Sequence, residues 1–210
     1  MNAYTKEWLP LTPKGDLSKW WVDAIGGFRV EGNTLVTRGT DVRAEVGGMS
    51  WDNYELSSEV MIDSTGEGAY YQVELTAVGT CVYCQLTPGW IILAYFSHER
   101  NGTAHFGKAP VEVSHGTWHE LRMRVKGGII TAVLDGKEVI SGHSPNGTKG
   151  MPGFVVKFLK NTEAKLRNIR VRFLAPTREQ LAEYELDATT NWQNYEARER
   201  AAQQRLAPDG

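Results

Sequence analysis

Glu74 is the carboxylate of this chain best placed to act on a ligand. In Ala69 to Thr76, AYYQVELT, strict alternation puts Tyr70, Gln72 and Glu74 on one face of a strand and Tyr71, Val73 and Leu75 on the other. In Cys81 to Leu86, CVYCQL, Tyr83 and Gln85 share a face with Cys81, while Val82, Cys84 and Leu86 share the opposite, apolar one. Paired as neighbouring strands, the two runs form one patch of Tyr70, Gln72, Glu74, Tyr83 and Gln85, where a carboxylate among amides and phenols can serve as acid, base or hydroxyl acceptor. The loop SHERNGTAHFG carries His98, Glu99, Arg100 and His105, and an imidazole there is a candidate proton-relay partner for Glu74. The same residue types also make ordinary surface, so the patch reads equally as an exposed sheet face.

Other chemistries lack their residues. The sequence has no Gly-rich phosphate loop, no nucleophile elbow and no zinc-binding helix motif. Cys81 and Cys84 have redox spacing, but they sit in an alternating β run where a separation of three points them to opposite faces. Two free thiols are expected, Cys84 inward and Cys81 outward. No second Cys/His pair and no EF-hand-like run of oxygen ligands occurs, so neither a metal nor another cofactor is expected. Lys and Arg number 23 against 25 acidic residues, a net charge of -2, which gives no field to draw in nucleic acid or an anionic membrane. No window approaches the ~18 apolar residues of a membrane span. The N-terminal stretch MNAYTKEWLPLTPKG lacks the apolar core of a secretory signal, so a cytoplasmic chain is the default expectation. Were a signal removed, the Asn-Gly-Thr sequons at Asn101 and Asn146 would become glycosylation acceptors instead of plain turns.

The candidate residues need rigid strands beneath them, and Gly116 to Val139, GTWHELRMRVKGGIITAVLDGKEV, shows how the chain builds them. Leu121, Met123 and Val125 alternate with Glu120, Arg122 and Arg124, then Gly127-Gly128 and Asp135-Gly136 mark two hairpin turns. A further hairpin is expected at Phe28 to Thr37 around Gly32-Asn33. In Trp51 to Ile62 the residues Tyr54, Leu56, Ser58, Val60 and Ile62 share the inner face, which leaves Glu55 and Glu59 on a solvated outer face. Trp90 to Phe96 is apolar throughout and is expected to be buried on both faces. Gly153 to Leu159 is another strand, and Ala164 to Leu174 is the last, with Leu166, Ile169, Val171 and Phe173 inward and Asn168 an irregularity. About a dozen short strands without an internal repeat imply a mainly β fold, a two-sheet antiparallel β-sandwich or jelly roll.

This sandwich is expected to span residues 16–175, after an irregular N-terminal arm over 1–15 whose Trp8 and Leu9 dock on a sheet edge. A helical extension follows over 176–210. Thr177 and Gln180 form a capping box that starts a helix of about three turns. Weak helix formers at Thr189 to Asn191 predict a break, and a second capping box at Thr190 and Gln193 predicts a helix to about Leu206. Leu181, Tyr184, Ala188, Trp192, Tyr195, Ala202 and Leu206 make an apolar stripe that either packs on the parent domain or contacts another copy in a homo-oligomer or larger assembly.

Taken together, DLSKWW, FRVEGNTLV, WDNYELSSEVMI, the Gly116 to Val139 meander and LRNIRVRFL resemble the concanavalin A-like lectin/glucanase superfamily over residues 16–174. Within it the nearest likeness is to the laminin-G-like 3-keto-disaccharide hydrolase domains. The run Gly-x-Trp-His-x-Leu, turn, strand, Asp-Gly-Lys is a structural marker of that sandwich, with Trp118 expected in the core. The resemblance implies a concave sheet that binds a saccharide, with Tyr70, Gln72, Glu74, Tyr83 and Gln85 stacking on rings and bonding hydroxyls. It does not imply ordinary glucanase chemistry, because the Glu-x-Asp-x-Glu strand of those relatives is missing and their reaction needs two carboxyl groups. A keto-glycoside hydrolase or lyase needs less, since a 3-keto group acidifies the C2 proton. Glu74 or His98 would then be the base, and Arg100 or Lys157 would stabilise the oxyanion. Three functions therefore stand side by side: saccharide binding, keto-glycoside cleavage, and a structural or assembly role for the C-terminal arm.

Overall fold

The computed structural model describes residues 7–11, 17–22, 28–37, 41–64, 71–78, 81–97, 101–158 and 162–206. In chain order its strands are β1 (Leu9–Pro10), β2 (Trp20–Val22), β3 (Phe28–Glu31), β4 (Thr34–Thr37), β5 (Asp41–Val46), β6 (Tyr54–Ser64), β7 (Tyr71–Val78), β8 (Val82–Thr87), β9 (Trp90–Ser97), β10 (Gly102–Pro110), β11 (Trp118–Lys126), β12 (Ile129–Leu134), β13 (Lys137–His143), β14 (Met151–Phe158) and β15 (Thr162–Phe173). Two helices follow, α1 (Arg178–Glu185) and α2 (Ala188–Leu206). One antiparallel sheet runs β13-β12-β11-β6-β15-β4-β3 with β1 added alongside β15, and the other runs β10-β9-β8-β7-β14-β5-β2. The fold is thus a mainly β, two-sheet sandwich with helices at its C-terminal end.

Alternation decides what lies between the sheets. Leu56, Val60, Leu121, Met123, Leu166 and Phe173 of the first sheet meet Val73, Leu75, Cys84, Leu86, Leu93 and Phe154 of the second in one buried core. Both turns of the β11–β13 meander have two residues at positive φ, Gly127 (58°) with Gly128 (81°) and Asp135 (49°) with Gly136 (79°), the twist that suits two-residue hairpins. Asp135 also accepts a bond from the Glu120 amide at 2.8 Å and meets His119 Nδ1 at 2.7 Å, so the Trp-His and Asp-Gly pieces of the motif clamp one hairpin. Asn168 (φ 50°) sits where the β15–β6 register slips between Arg167 and Arg170. That bulge lets Leu166 and Ile169 both face inward.

Three expectations about outer faces are corrected. Trp118 is not in the core: it has the parity of Glu120 and Arg122, and the Arg167 guanidinium stacks 3.9 Å from its ring. Trp90 to Phe96 is not buried on both faces: Ile91 and Leu93 are enclosed, but Trp90 is 40% exposed and carries Lys108 Nζ 3.9 Å above its ring. Nor is Glu55 solvated, being only 1% exposed beneath Arg124 and Arg172, which both bond it. Alternation told which face Glu55 is on, but not that arginines from β11 and β15 close over it.

The network extends across that sheet. Glu120 takes Ser57 at 2.9 Å, Arg122 at 2.8 Å and Arg170 at 3.0 Å, and Glu59 takes Arg167 and Asn168, each at 2.6 Å. Trp8 lies over Arg122, Arg170 and Arg172, with guanidinium carbons 5.3, 4.8 and 4.8 Å from its ring, so the arm docks through cation–π contacts as well as through β1. Burial alone would raise the carboxyls of Glu55, Glu59 and Glu120, but the hydrogen bonds they accept outweigh it and hold all three below the ordinary value of 4.5. Depressed carboxyls stabilise the fold above their unfolded-state pKa and lose that contribution as pH falls through the lowered one. The thermal midpoint should therefore fall as pH drops below 4.5, and should fall less in Glu55→Gln. A midpoint flat to pH 3 in circular dichroism melts would show that the network adds nothing.

The helices dock on the same chain. Thr177 caps α1 as the sequence indicates, with Gln180 returning the bond to the Thr177 amide. Gln180 Nε2 also donates to the carbonyls of Ser50 (3.2 Å) and Asp52 (2.8 Å), and Tyr184 OH donates to the Pro10 carbonyl at 3.0 Å. Glu183 accepts the Ser50 hydroxyl and packs onto Gly48, where a Cβ would collide with its carboxylate. The second helix is capped three residues earlier than expected and α1 spans only eight residues, because Asp187, not Thr190, caps α2, taking the Thr190 amide at 2.8 Å and its hydroxyl at 2.9 Å. Neither described helix is long and apolar enough to cross a membrane.

Candidate functional site

The outer face of the β10-to-β2 sheet gathers side chains from distant parts of the chain. β7 and β8 pair so that Glu74 faces Gln85 and Thr76 faces Tyr83. β14 brings Val155 opposite Glu74 and Gly153 opposite Thr76. Beyond it, β5 sets Arg43 beside Val155 and Glu45 beside Gly153, and Trp21 of β2 pairs with Glu45. Directly opposed residues share a face. Two parallel rows result, one of Gln85, Glu74, Val155 and Arg43, the other of Tyr83, Thr76, Gly153, Glu45 and Trp21.

Glu74 and Gln85 are nearly buried on this face, 2% and 5% exposed, with Gln85 Nε2 donating to Glu74 Oε1 at 2.8 Å. Tyr83, opposite Thr76 in the neighbouring row, is half-buried. Burial, reinforced by Cys81 and Glu74, pushes its phenol up to about 12, so it remains an O–H donor at physiological pH. Thr76 Oγ1 is buried and has no hydrogen-bond partner among the described residues. It lines a cleft of about 30 Å³ with Arg43, Cys81, Tyr83 and Val155, room for one water or one ligand hydroxyl. A wider pocket of about 320 Å³ opens beside it, walled by Trp21, Arg43, Glu45 and Trp192. Gly153 is required in the second row: a Cβ there would lie 2.5 Å from the Ala44 carbonyl oxygen and 3.1 Å from Glu45 Cγ.

Of the residues singled out from sequence, Glu74, Tyr83 and Gln85 are brought together. Gln72 and Lys157 are register partners on β7 and β14, described by their backbone only. Tyr70, His98 and Arg100 lie outside the described residues. Trp21, Arg43, Glu45 and Thr76 went unremarked in the sequence, although the alternation of DVRAEV puts Arg43 and Glu45 on one face opposite Ala44 and Val46. Both cysteines are free thiols, Cys84 buried with its thiol pushed up to about 12 by desolvation and Cys81 at the cleft. Among the described residues no three His, Cys, Asp or Glu side chains are grouped to hold a metal ion.

Solved structures share this architecture. The carbohydrate-binding module CBM66 from Bacillus subtilis is 12% identical, with a TM-score of 0.59 over 74% of this chain and 96% of that one. A protein of unknown function with a galectin-like fold from Bacillus subtilis is 10% identical, TM-score 0.59, over 80% and 94%. A candidate glycosyl hydrolase from Parabacteroides distasonis is 18% identical, TM-score 0.52, over 80% and 100%. At such identities the likeness is one of fold. No curated protein sequence matches the chain. A sequence family does: residues 5–172, covering β1 and all but the last residue of the sandwich, match the 3-keto-alpha-glucoside-1,2-lyase-like domain, and the chain belongs to that family.

Proposed function

We propose that the protein binds a saccharide on the outer face of the β10-to-β2 sheet, with hydroxyls entering the Thr76–Tyr83 cleft and rings lying over the Glu74–Gln85 pair. The unpartnered Thr76 hydroxyl carries this reading. A buried hydroxyl without a partner costs about 1–3 kcal/mol, and a sugar hydroxyl, both donor and acceptor, removes that cost. The family match and the carbohydrate-binding module of similar fold support the same ligand class. Calorimetric titration with gluco-oligosaccharides tests it. Thr76→Val, which keeps the shape and removes the hydroxyl, should weaken binding roughly 2- to 10-fold while leaving the unliganded protein as stable or more so. Tyr83→Phe should act alike. Unchanged affinity in both variants would remove the cleft from the binding site.

The second reading, elimination from a 3-keto-glucoside, is favoured by the family and by the carboxylate in the patch. A base takes the C2 proton and the electron pair moves onto the 3-keto oxygen as an enolate. Return of that pair forms the C1–C2 double bond as the C1–O bond breaks, and the leaving alkoxide picks up a proton. Glu74 is the base in this reading and Arg43, on the same face, the cation that steadies the enolate.

A further inference from the structure

We infer that helix α2 completes a second sugar-ring subsite at the β2 end of this sheet, so that the ligand is a neutral oligosaccharide longer than a disaccharide. The inference rests on the saccharide reading above and names the size and charge of its ligand. The pocket of Trp21, Arg43, Glu45 and Trp192, about 320 Å³, falls at the small end of ligand sites. Its two tryptophans are 46% and 43% exposed, large apolar surfaces left open to solvent, one from the sheet and one from the helix, lining a single cavity. Indoles so placed offer π faces and apolar area to the C–H side of a sugar ring.

The helical wall is held in place. Trp192 Nε1 donates to Glu196 Oε1 at 2.9 Å and its ring lies 5.6 Å from that of Tyr195. Asn191 Nδ2 donates to the Glu183 carbonyl at 2.8 Å, which ties α2 to α1 and hence to Ser50 and Asp52 of the sandwich.

Charge selects the ligand. Arg43 and Glu45 approach to 3.9 Å, so the described residues of the lining carry one charge of each sign. An anionic sugar would meet Glu45 and a quaternary ammonium would meet Arg43, whereas the hydroxyls of a neutral ring can use the donors of one and the acceptor oxygens of the other. Arg43 also lines the Thr76–Tyr83 cleft, so the two cavities flank one side chain on the same sheet face. From β8 to β2 the sheet crosses four strand spacings, about 19 Å. That span takes several linked rings.

The test is calorimetry of the full chain with a ladder of neutral gluco-oligosaccharides from disaccharide to hexasaccharide. Trp192→Ala, and separately Trp21→Ala from the sheet side, should each weaken hexasaccharide binding roughly 3- to 10-fold and leave disaccharide affinity unchanged. If wild-type affinity is flat along the ladder, or Trp192→Ala leaves hexasaccharide binding intact, the subsite is wrong and binding at Thr76 and Tyr83 stands. If no sugar binds the wild-type chain, both readings fall. A loss in Trp192→Ala that comes with a drop in size-exclusion mass also overturns the subsite, because the indole would then serve a subunit contact.

Discussion

Glu74→Gln is expected to weaken gluco-oligosaccharide binding about tenfold, and to slow any turnover of 3-keto-glucosides by roughly 10²- to 10⁴-fold. The carboxylate lies on the outer face of the sheet and accepts the Gln85 amide at 2.8 Å. A hydrogen bond to a charged acceptor is stronger than one to a neutral amide, so removing the charge loosens the group that orients Gln85. The isosteric amide fills the same volume and can still bond Gln85, which keeps β7 and β8 in register. Calorimetry reads the first effect and product signals in proton NMR the second. A large loss of turnover with little change in affinity would promote the keto-glycoside reading. Affinity and turnover both unchanged would make the Glu74–Gln85 pair purely structural.

Trp51→Ala is expected to cost about 3–5 kcal/mol, lowering the thermal midpoint by roughly 10 °C. The indole is fully buried, stands edge-on to Phe173 at 4.8 Å and to Tyr54 at 6.3 Å, and covers Gly47, where a side chain has no room. Truncation leaves a cavity under the Gly48 to Asp52 segment on which α1 docks, so the variant should also loosen the helices that carry Trp192. Trp51→Phe should recover much of the loss, because it keeps a ring and removes an indole N–H that has no partner among the described residues. A cost below about 1 kcal/mol in urea or thermal unfolding would mean that the neighbours collapse into the space.

Local signals in the sequence carried far. Two glycine or Asp-Gly pairs located the turns of the meander, Asn168 marked the bulge, and Thr177 with Gln180 marked the first helix cap, since each depends on neighbours in the chain. Alternation also placed Glu74, Tyr83 and Gln85 on one face. What it could not supply was the order of strands: Arg43 reaches the site only because β14, over a hundred residues later, lies between β5 and β7. The burial of Glu55 has a related cause, its arginine cover coming from β11 and β15. Trp118 was different. Its parity with Glu120 puts it outside, a local signal that holds over the core position the motif implies.

The most direct test of saccharide binding on this sheet is an amide chemical-shift titration of the labelled protein with gluco-oligosaccharides and their 3-keto forms. Shifts that saturate are expected at Glu74, Thr76, Tyr83, Gln85 and Arg43, with little change at Glu55, Glu120 and Arg170 on the other sheet. Shifts confined to that other sheet, or none with any sugar, would contradict binding on this one.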